Sequence, residues 1–213
     1  RKDLIPQGFR IYEIKNKKVR EEKANAFINK HNTMWCKVKF LGVFDTVAAL
    51  GLPIKWLSVL LDKLAPNKFH SFELSKSVIF ARQALAIDEE RKTFTPLLWD
   101  ALDNPQPADR MKQVWFSGVH TDVGGGYQED DLSNISLRWM IREAVDKGLL
   151  IYDKSPAFKI LRKIEANPDG MMHNEQKKFP GNLFRREQRS WNKTTHGEPV
   201  IHASVLERKI NAD

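Results

Sequence analysis

Cysteine is nearly missing: one residue, Cys36, occurs in 213. A lone thiol excludes an internal disulfide framework and any zinc centre built from cysteines. Long apolar runs are missing too, for none approaches the roughly 20 residues that a helix needs to cross a bilayer. The opening stretch, "RKDLIPQGFRIYEIKNKKVR", holds no apolar core of the kind a signal peptide carries. Soluble behaviour is therefore expected of these residues, and the compartment stays open. Internal repeats and low-complexity tracts are absent. So are the glycine signatures of nucleotide binding: neither G-x-G-x-x-G nor a phosphate-binding loop ending in Lys-Ser/Thr is found.

What is present suits a folded domain. Apolar residues make up 41% and aromatics 10%, with six tryptophans, enough to bury a core. The length fits one domain, expected to span residues 1–213. The net charge of +8 is unevenly spread. Residues 1–39 carry eleven Lys/Arg against four acids and 154–193 carry ten against four, whereas 40–153 carry twelve against sixteen. Basic flanks around an acidic centre fit either solvated helix faces or an anionic surface touching the rim. That surface could be lipid or nucleic acid by charge alone, and no nucleic acid partner is expected.

Two strands are legible. "CKVKFLGV" (Cys36–Val43) and "MKQVWFSGV" (Met111–Val119) alternate and then turn fully apolar, as central strands of a mostly parallel sheet do. "IKWLSVLLDKLA" (Ile54–Ala65) has the spacing of a helix or a mobile cover. A helix is expected from about Ser77 to Leu85. A further one follows in "LSNISLRWMIREAVDKG", with Ser133 or Ser136 as N-cap and Gly148 as its stop. Strand, helix, strand and helix in this order predict an α/β layered fold with right-handed crossovers. Residues 154–199 contain a short basic amphipathic stretch (Phe158–Ala166) and otherwise read as a long basic loop or cap region.

Chemistry in open α/β sheets gathers at the carboxyl ends of strands. Asp45 follows "FLGVF" and Asp122 follows "WFSGVHT", so each is placed at such an end, although turn-forming or helix-capping aspartates also occur there. The run Gly124–Gly125–Gly126 permits positive φ and close backbone approach, serving a tight turn or amide donors to an oxyanion. His120 and Asp122 would be i, i+2 metal ligands, but no third ligand accompanies them, so no metal and no cofactor are expected. His202, after "PVI" and before "SVLERK", could act as a general base if an acid oriented it. His31, His70, His173 and His196 lie in polar stretches and read as surface residues.

Several blocks then carry a resemblance. "FLGVFDTVAALGLP", "ARQALAIDEERKTFTPLLW", "MKQVWFSGVHTDVGGGY", "LSNISLRWMIREAVDKGL" and "VIHASVLER" look like successive blocks of the DUF2235 family, which includes the catalytic domain of Tle1-like type VI secretion phospholipase effectors. The likeness runs from about Val38 to Arg208. It implies an α/β-hydrolase fold, a three-layer sandwich on a mostly parallel sheet, and hydrolysis of carboxylic or phospholipid esters by a serine nucleophile. It also implies a phospholipid or other ester substrate, an anionic membrane surface, and a secretion or immunity partner, as for a secreted bacterial effector.

Carried onto this chain, the resemblance puts the triad acid at Asp45 and the histidine at His202, with Asp122 as the rival acid. His120 would steady the crevice, and Thr46, Gly124 and Gly125 would support the site. One departure is plain: the G-x-S-x-G elbow that presents the family's nucleophile occurs nowhere in these residues. The expectation is that the elbow precedes Arg1 and that this chain is the C-terminal part of the catalytic domain, supplying acid and base. The alternative is a hydrolase-like scaffold without a nucleophile that binds an anionic surface or a partner protein; a metal-dependent hydrolase using His120 and Asp122 is a third.

Overall fold

The computed structural model describes residues 2–33, 36–47, 74–100, 109–177 and 183–208. The expected helix at 54–65, with its apolar rim, and His70 lie outside them. The N-terminal residues form a helical hairpin. Helix α1 (Ile5–Tyr12) has Pro6 in its first turn, where a missing N–H costs nothing, and α2 (Lys17–His31) is capped by the Asn16 side chain accepting from Val19 N. Asn32 ends α2 in the left-handed conformation. Neither helix buries a residue.

The centre is a parallel sheet in the order β1-β2-β3-β4: β1 (Val38–Phe44), β2 (Val78–Ala86), β3 (Met111–Phe116) and the two-residue β4 (Val200–Ile201). Phe40 aligns with Phe80, Ala84 with Val114, and Trp115 with Ile201. The architecture is thus the α/β fold with a parallel sheet that the sequence predicts.

Three expectations change. The helix expected from Ser77 to Leu85 is strand β2. Its alanines, arginine and glutamine favour a helix locally, but the segment lies between β1 and β3, and pairing on both sides overrides that propensity. β1 is the outermost described strand instead of a central one. Among the described residues, β2 and β3 are joined without an α-helix, only a 3-10 turn at Lys92–Phe94.

Past β3 come α3 (His120–Gly124) and α4 (Asp131–Asp146). The second of these begins earlier than expected, with Asp130 at its N-cap. Ser133 and Ser136 therefore lie inside it, and Ser136 donates to Val123 O at 2.6 Å, tying α4 to α3. Gly148 stops the helix with φ +92°. The core forms where α4 covers one sheet face: Ala84, Ala86, Val114 and Phe116 meet Leu132, Ile135 and Met140. Small residues let the helix come close. A side chain on Gly42 of β1 would meet Met140 Sδ at 2.6 Å.

On the opposite face, Gln83 and Gln113 hold the irregular segment after β2, through Gln83 Nε2 to Leu97 O and a two-way pair between Gln113 and the backbone of Trp99. Trp115 packs there on Trp191. After α5 (Pro156–Leu161), which is shorter than the expected Phe158–Ala166, the chain returns over this region. Residues 185–187 run beside 90–92 through Lys92 N to Arg185 O and Glu187 N to Glu90 O. Helix α6 (Lys193–His196), β4 and α7 (Ala203–Glu207) follow.

Candidate active site at the ends of β1 and β3

Asp45 is the first residue after β1. Its backbone enters the left-handed region at φ +44°, which aspartate tolerates better than most residues. The turn drives the side chain inward, and the residue is fully buried. Its carboxylate accepts four hydrogen bonds. Ala86 N donates to Oδ1 at 2.9 Å, Arg189 Nη1 to Oδ1 at 2.5 Å, Arg189 Nη2 to Oδ2 at 2.8 Å, and His120 Nδ1 meets Oδ2 at 2.6 Å. Burial pushes the carboxyl upward, but the Arg189 fork and the His120 contact outweigh it and hold Asp45 below the usual carboxylate range.

His120 opens α3, at the end of β3. With Nδ1 on a carboxylate, the neutral ring carries its proton there, so Nε2 is the acceptor. Among the described residues Nε2 makes no hydrogen bond, and the side chain keeps 29% of its surface. Two further groups hold the residue. Phe94 meets the imidazole edge-on with centroids 5.2 Å apart, and His120 N donates to Glu89 Oε2 at 3.2 Å. Glu89 is itself clamped by Arg91 through contacts of 2.8 and 2.6 Å, and the Arg91 guanidinium lies 3.7 Å from the Phe94 ring centre.

The expected partner of Asp45 was His202, and that pair is not formed. His202 caps α7: its Nδ1 accepts from Ser204 N at 3.2 Å and faces Ser204 Oγ at 2.9 Å. The ring stacks on Phe116 at 4.7 Å, and burial holds the imidazole below its usual value. Among the described residues no carboxylate hydrogen-bonds to it.

Asp122 makes a second acid–histidine pair. Its Oδ1 lies 2.7 Å from His173 Nδ1, and its Oδ2 accepts from His173 N at 3.1 Å and from Val119 N at 3.0 Å. His173, expected at the surface, is buried and stacked on Tyr127 at 3.7 Å. His196 is mostly covered as well, packed on Trp191 and facing Trp99 O at 3.1 Å. His31 is half-buried against Phe27.

The glycine turn does what positive φ permits at Gly125 and Gly126, and Gly124 closes α3. The backbone amides just before it are already taken, however. Gly118 N donates to Asp88 Oδ2, Val119 N to Asp122 and His120 N to Glu89, so protein carboxylates fill the sites an oxyanion would need. Gly118 itself has φ +107° and lies so close to the Asp122 side chain that a Cβ would collide with it. Thr46 is exposed, and its carbonyl accepts from Leu97 N at 2.7 Å. A cleft of about 480 Å³ opens beside Val119, walled by residues of both charges, Asp88, Glu89, Glu90 and Glu175 with Lys177 and Arg186. Among the described residues no cluster of three or more His, Cys, Asp or Glu could hold a metal ion. Nor, among them, is any helix long and apolar enough to cross a membrane.

Sequence reasoning missed Arg189, His173, Glu89 and Arg91. Arg189 stands in "RREQRSW", where nothing in the pattern separates one arginine from its neighbours. The Glu89–Arg91 pair had only its i, i+2 spacing as a signal.

Comparison with known proteins gives three findings. A stretch of 42 residues is 48% identical to an uncharacterized protein of Saccharomyces cerevisiae, covering 17% of this chain and 6% of that protein. The crystal structure of an uncharacterized protein from Pseudomonas aeruginosa is 24% identical, with a TM-score of 0.42 over 61% of this chain and 21% of that one. The chain thus spans a small part of either relative. Residues 3–143 match the family described as "T6SS, Phospholipase effector Tle1-like, catalytic domain". Asp45, His120 and Asp122 fall inside the matched span, while Arg189 and His202 lie beyond it. The chain belongs to the Tle1-like phospholipase effector family of type VI secretion, whose catalytic-domain signature covers both members of its Asp45–His120 pair.

Proposed function

We propose that Asp45 and His120 are the acid and base of a serine lipid hydrolase that cleaves the carboxylic ester of a phospholipid. One observation carries this reading: the imidazole is fixed through Nδ1 by a buried carboxylate while Nε2 has no partner among the described residues. That is the state of a general base awaiting a hydroxyl. Nε2 takes the proton of the serine as its oxygen attacks the ester carbonyl. The imidazolium, steadied by Asp45, then returns the proton to the leaving alkoxide, and a water repeats the sequence on the acyl-enzyme. The serine is proposed to come from a segment outside these 213 residues, because no G-x-S-x-G occurs within them. The oxyanion donors are proposed to come from outside as well, since the amides of Gly118, Val119 and His120 are occupied.

The substrate surface is proposed to be anionic. The exposed Ile5, Phe9 and Tyr12 of α1 lie among Lys2, Arg10 and Lys15, a composition that suits phospholipid headgroups above acyl chains. Delivery by type VI secretion, and an immunity partner, rest on family membership alone.

The test is hydrolysis of phospholipid vesicles and a soluble fatty-acid ester by the complete protein, with Asp45→Asn and His120→Ala alongside. Loss of both activities in both variants supports the reading, and retention in His120→Ala overturns it. A binding scaffold without chemistry is the competing reading. It draws on the Arg189 fork, which would hold Asp45 for structure alone, and it requires vesicle binding with no ester turnover in the unaltered protein.

A further inference from the structure

We infer that Arg189 is a positioning residue for the Asp45–His120 pair: its fork locks the carboxylate in one orientation and offsets its charge, keeping the His120 imidazole neutral and able to accept a proton. The inference rests on the reading of His120 as base given above.

The geometry supplies the first half. An ionised carboxylate has about four good acceptor positions. At Asp45 all four are used, two by the parallel N–H groups of one guanidinium, one by Ala86 N and one by His120 Nδ1. With Arg189 in place the carboxylate cannot turn away from the imidazole. The same Nη atoms also donate to Ala86 O at 2.6 Å and Phe94 O at 2.7 Å, so Arg189 ties the end of β2 and the turn carrying Phe94 to the acid. Phe94 in turn braces the His120 ring. The side chain is only 4% exposed, and its Nε is buried with no partner among the described residues. The guanidinium is therefore placed for Asp45 at the cost of leaving one of its own donors unsatisfied.

Charge supplies the second half. A buried carboxylate alone beside an imidazole strongly favours the imidazolium, and an imidazolium cannot act as base. A guanidinium on the same two oxygens cancels most of that field. His120 and Arg189 share Oδ2, so the two cations would compete for one anion if the ring were protonated.

The strap that carries Arg189 has its own hold. Arg185 O and Glu187 N pair with the backbone of Lys92 and Glu90, Arg186 forms an ion pair with Glu90, and Lys92 pairs with Glu187. Substitution at Arg189 is therefore expected to leave the strap docked, which separates positioning from simple latching.

The experiment uses the complete protein labelled with carbon-13 histidine. The His120 signal is assigned by its loss in His120→Ala, and its titration midpoint is read by NMR in the unaltered protein, Arg189→Met and Arg189→Lys. The acid limb of kcat/KM for a soluble fatty-acid ester is measured on the same proteins. In Arg189→Met the midpoint should rise by about one unit, the scale of one nearby charge removed from a partly buried site, and the acid limb should move with it. Arg189→Lys, which keeps the charge without the fork, should shift the midpoint less while still lowering kcat. An unmoved midpoint in Arg189→Met overturns the inference, as does an Arg189→Lys protein that matches the unaltered one in both midpoint and kcat. If Arg189→Met does not fold, the Lys variant decides by that same criterion. The two readings fail separately: full hydrolysis by His120→Ala sinks the proposed function, whereas a dead His120→Ala with an unmoved midpoint in Arg189→Met sinks only the role of Arg189.

Discussion

Asp45 Oδ2 and His120 Nδ1 lie 2.6 Å apart although the residues are 75 positions apart in the chain and follow two strands that do not touch. β2 lies between those strands, and its last residue donates Ala86 N to the same carboxylate. The pair thus arches over the end of β2, and its spacing is set by the sheet. Two side chains held this way lose little further freedom on reaching a reactive geometry.

A positioned general base contributes ~10²- to 10⁴-fold to rate. Ester hydrolysis by the complete protein is accordingly expected to fall over that span in His120→Ala, with kcat affected more than KM. His202→Ala should leave kcat close to that of the unaltered protein, because His202 caps α7 and, among the described residues, hydrogen-bonds to no carboxylate. Equal losses in the two variants would count against the assignment.

Acid should weaken the fold through Asp45. Its carboxyl is held below the ordinary value of 3.8, so the stabilisation is whole above that value and is lost as pH falls through the lower folded one. Glu89 and Glu143 are shifted the same way by Arg91 and Arg82 and add to the trend. Asp45→Asn should lose part of this acid sensitivity. At neutral pH it should also cost ~3–5 kcal/mol, because Arg189 is left buried without its counter-charge. Urea unfolding followed by circular dichroism at pH 7 and in steps down to pH 3 measures both, and parallel pH trends in the two proteins would refute the first.

Arg82 is fully buried in the middle of β2, with Nε 2.5 Å from Glu143 of α4 and Nη2 2.9 Å from Asp109. Removing it leaves Glu143, among the described residues, with Lys112 alone. Arg82→Met should therefore destabilise by about 3 kcal/mol, and adding Glu143→Leu should recover part of the loss, since an apolar pair replaces a broken ionic one. Urea denaturation reads this directly. A double variant no more stable than the single one would show that the ion pair is not the cause.

The Asp122–His173 pair should act on the loop instead of the chemistry. His173→Ala removes the ring contact with Asp122 and the stack on Tyr127. Amide exchange across 170–177 should quicken, while ester hydrolysis falls far less than in His120→Ala. Unchanged exchange there would mean that the backbone bond from His173 N to Asp122 holds the loop by itself.

What the amino-acid sequence determined by itself was local or repeated in kind. The alternating and then apolar runs made β1 and β3 legible, the 3.6-residue period made α4 legible, and the blocks around Asp45 and His120 pointed to the family. An acid directly after a strand that turns apolar is a local feature too, so Asp45 could be singled out as a candidate. The tertiary structure decided the rest. β2 reads as helix in isolation and becomes a strand only because two neighbours hydrogen-bond it. Which imidazole reaches Asp45 depends on where β1 and β3 end against β2, Phe44 beside Ala84 and Phe116 beside Ala86, a matter of register. That Arg189 arrives from 144 residues away depends on an irregular strap docking beside 90–92. Periodicity carries one element's faces but not the relative placement of two elements, and a charged side chain meets its partner only through that placement.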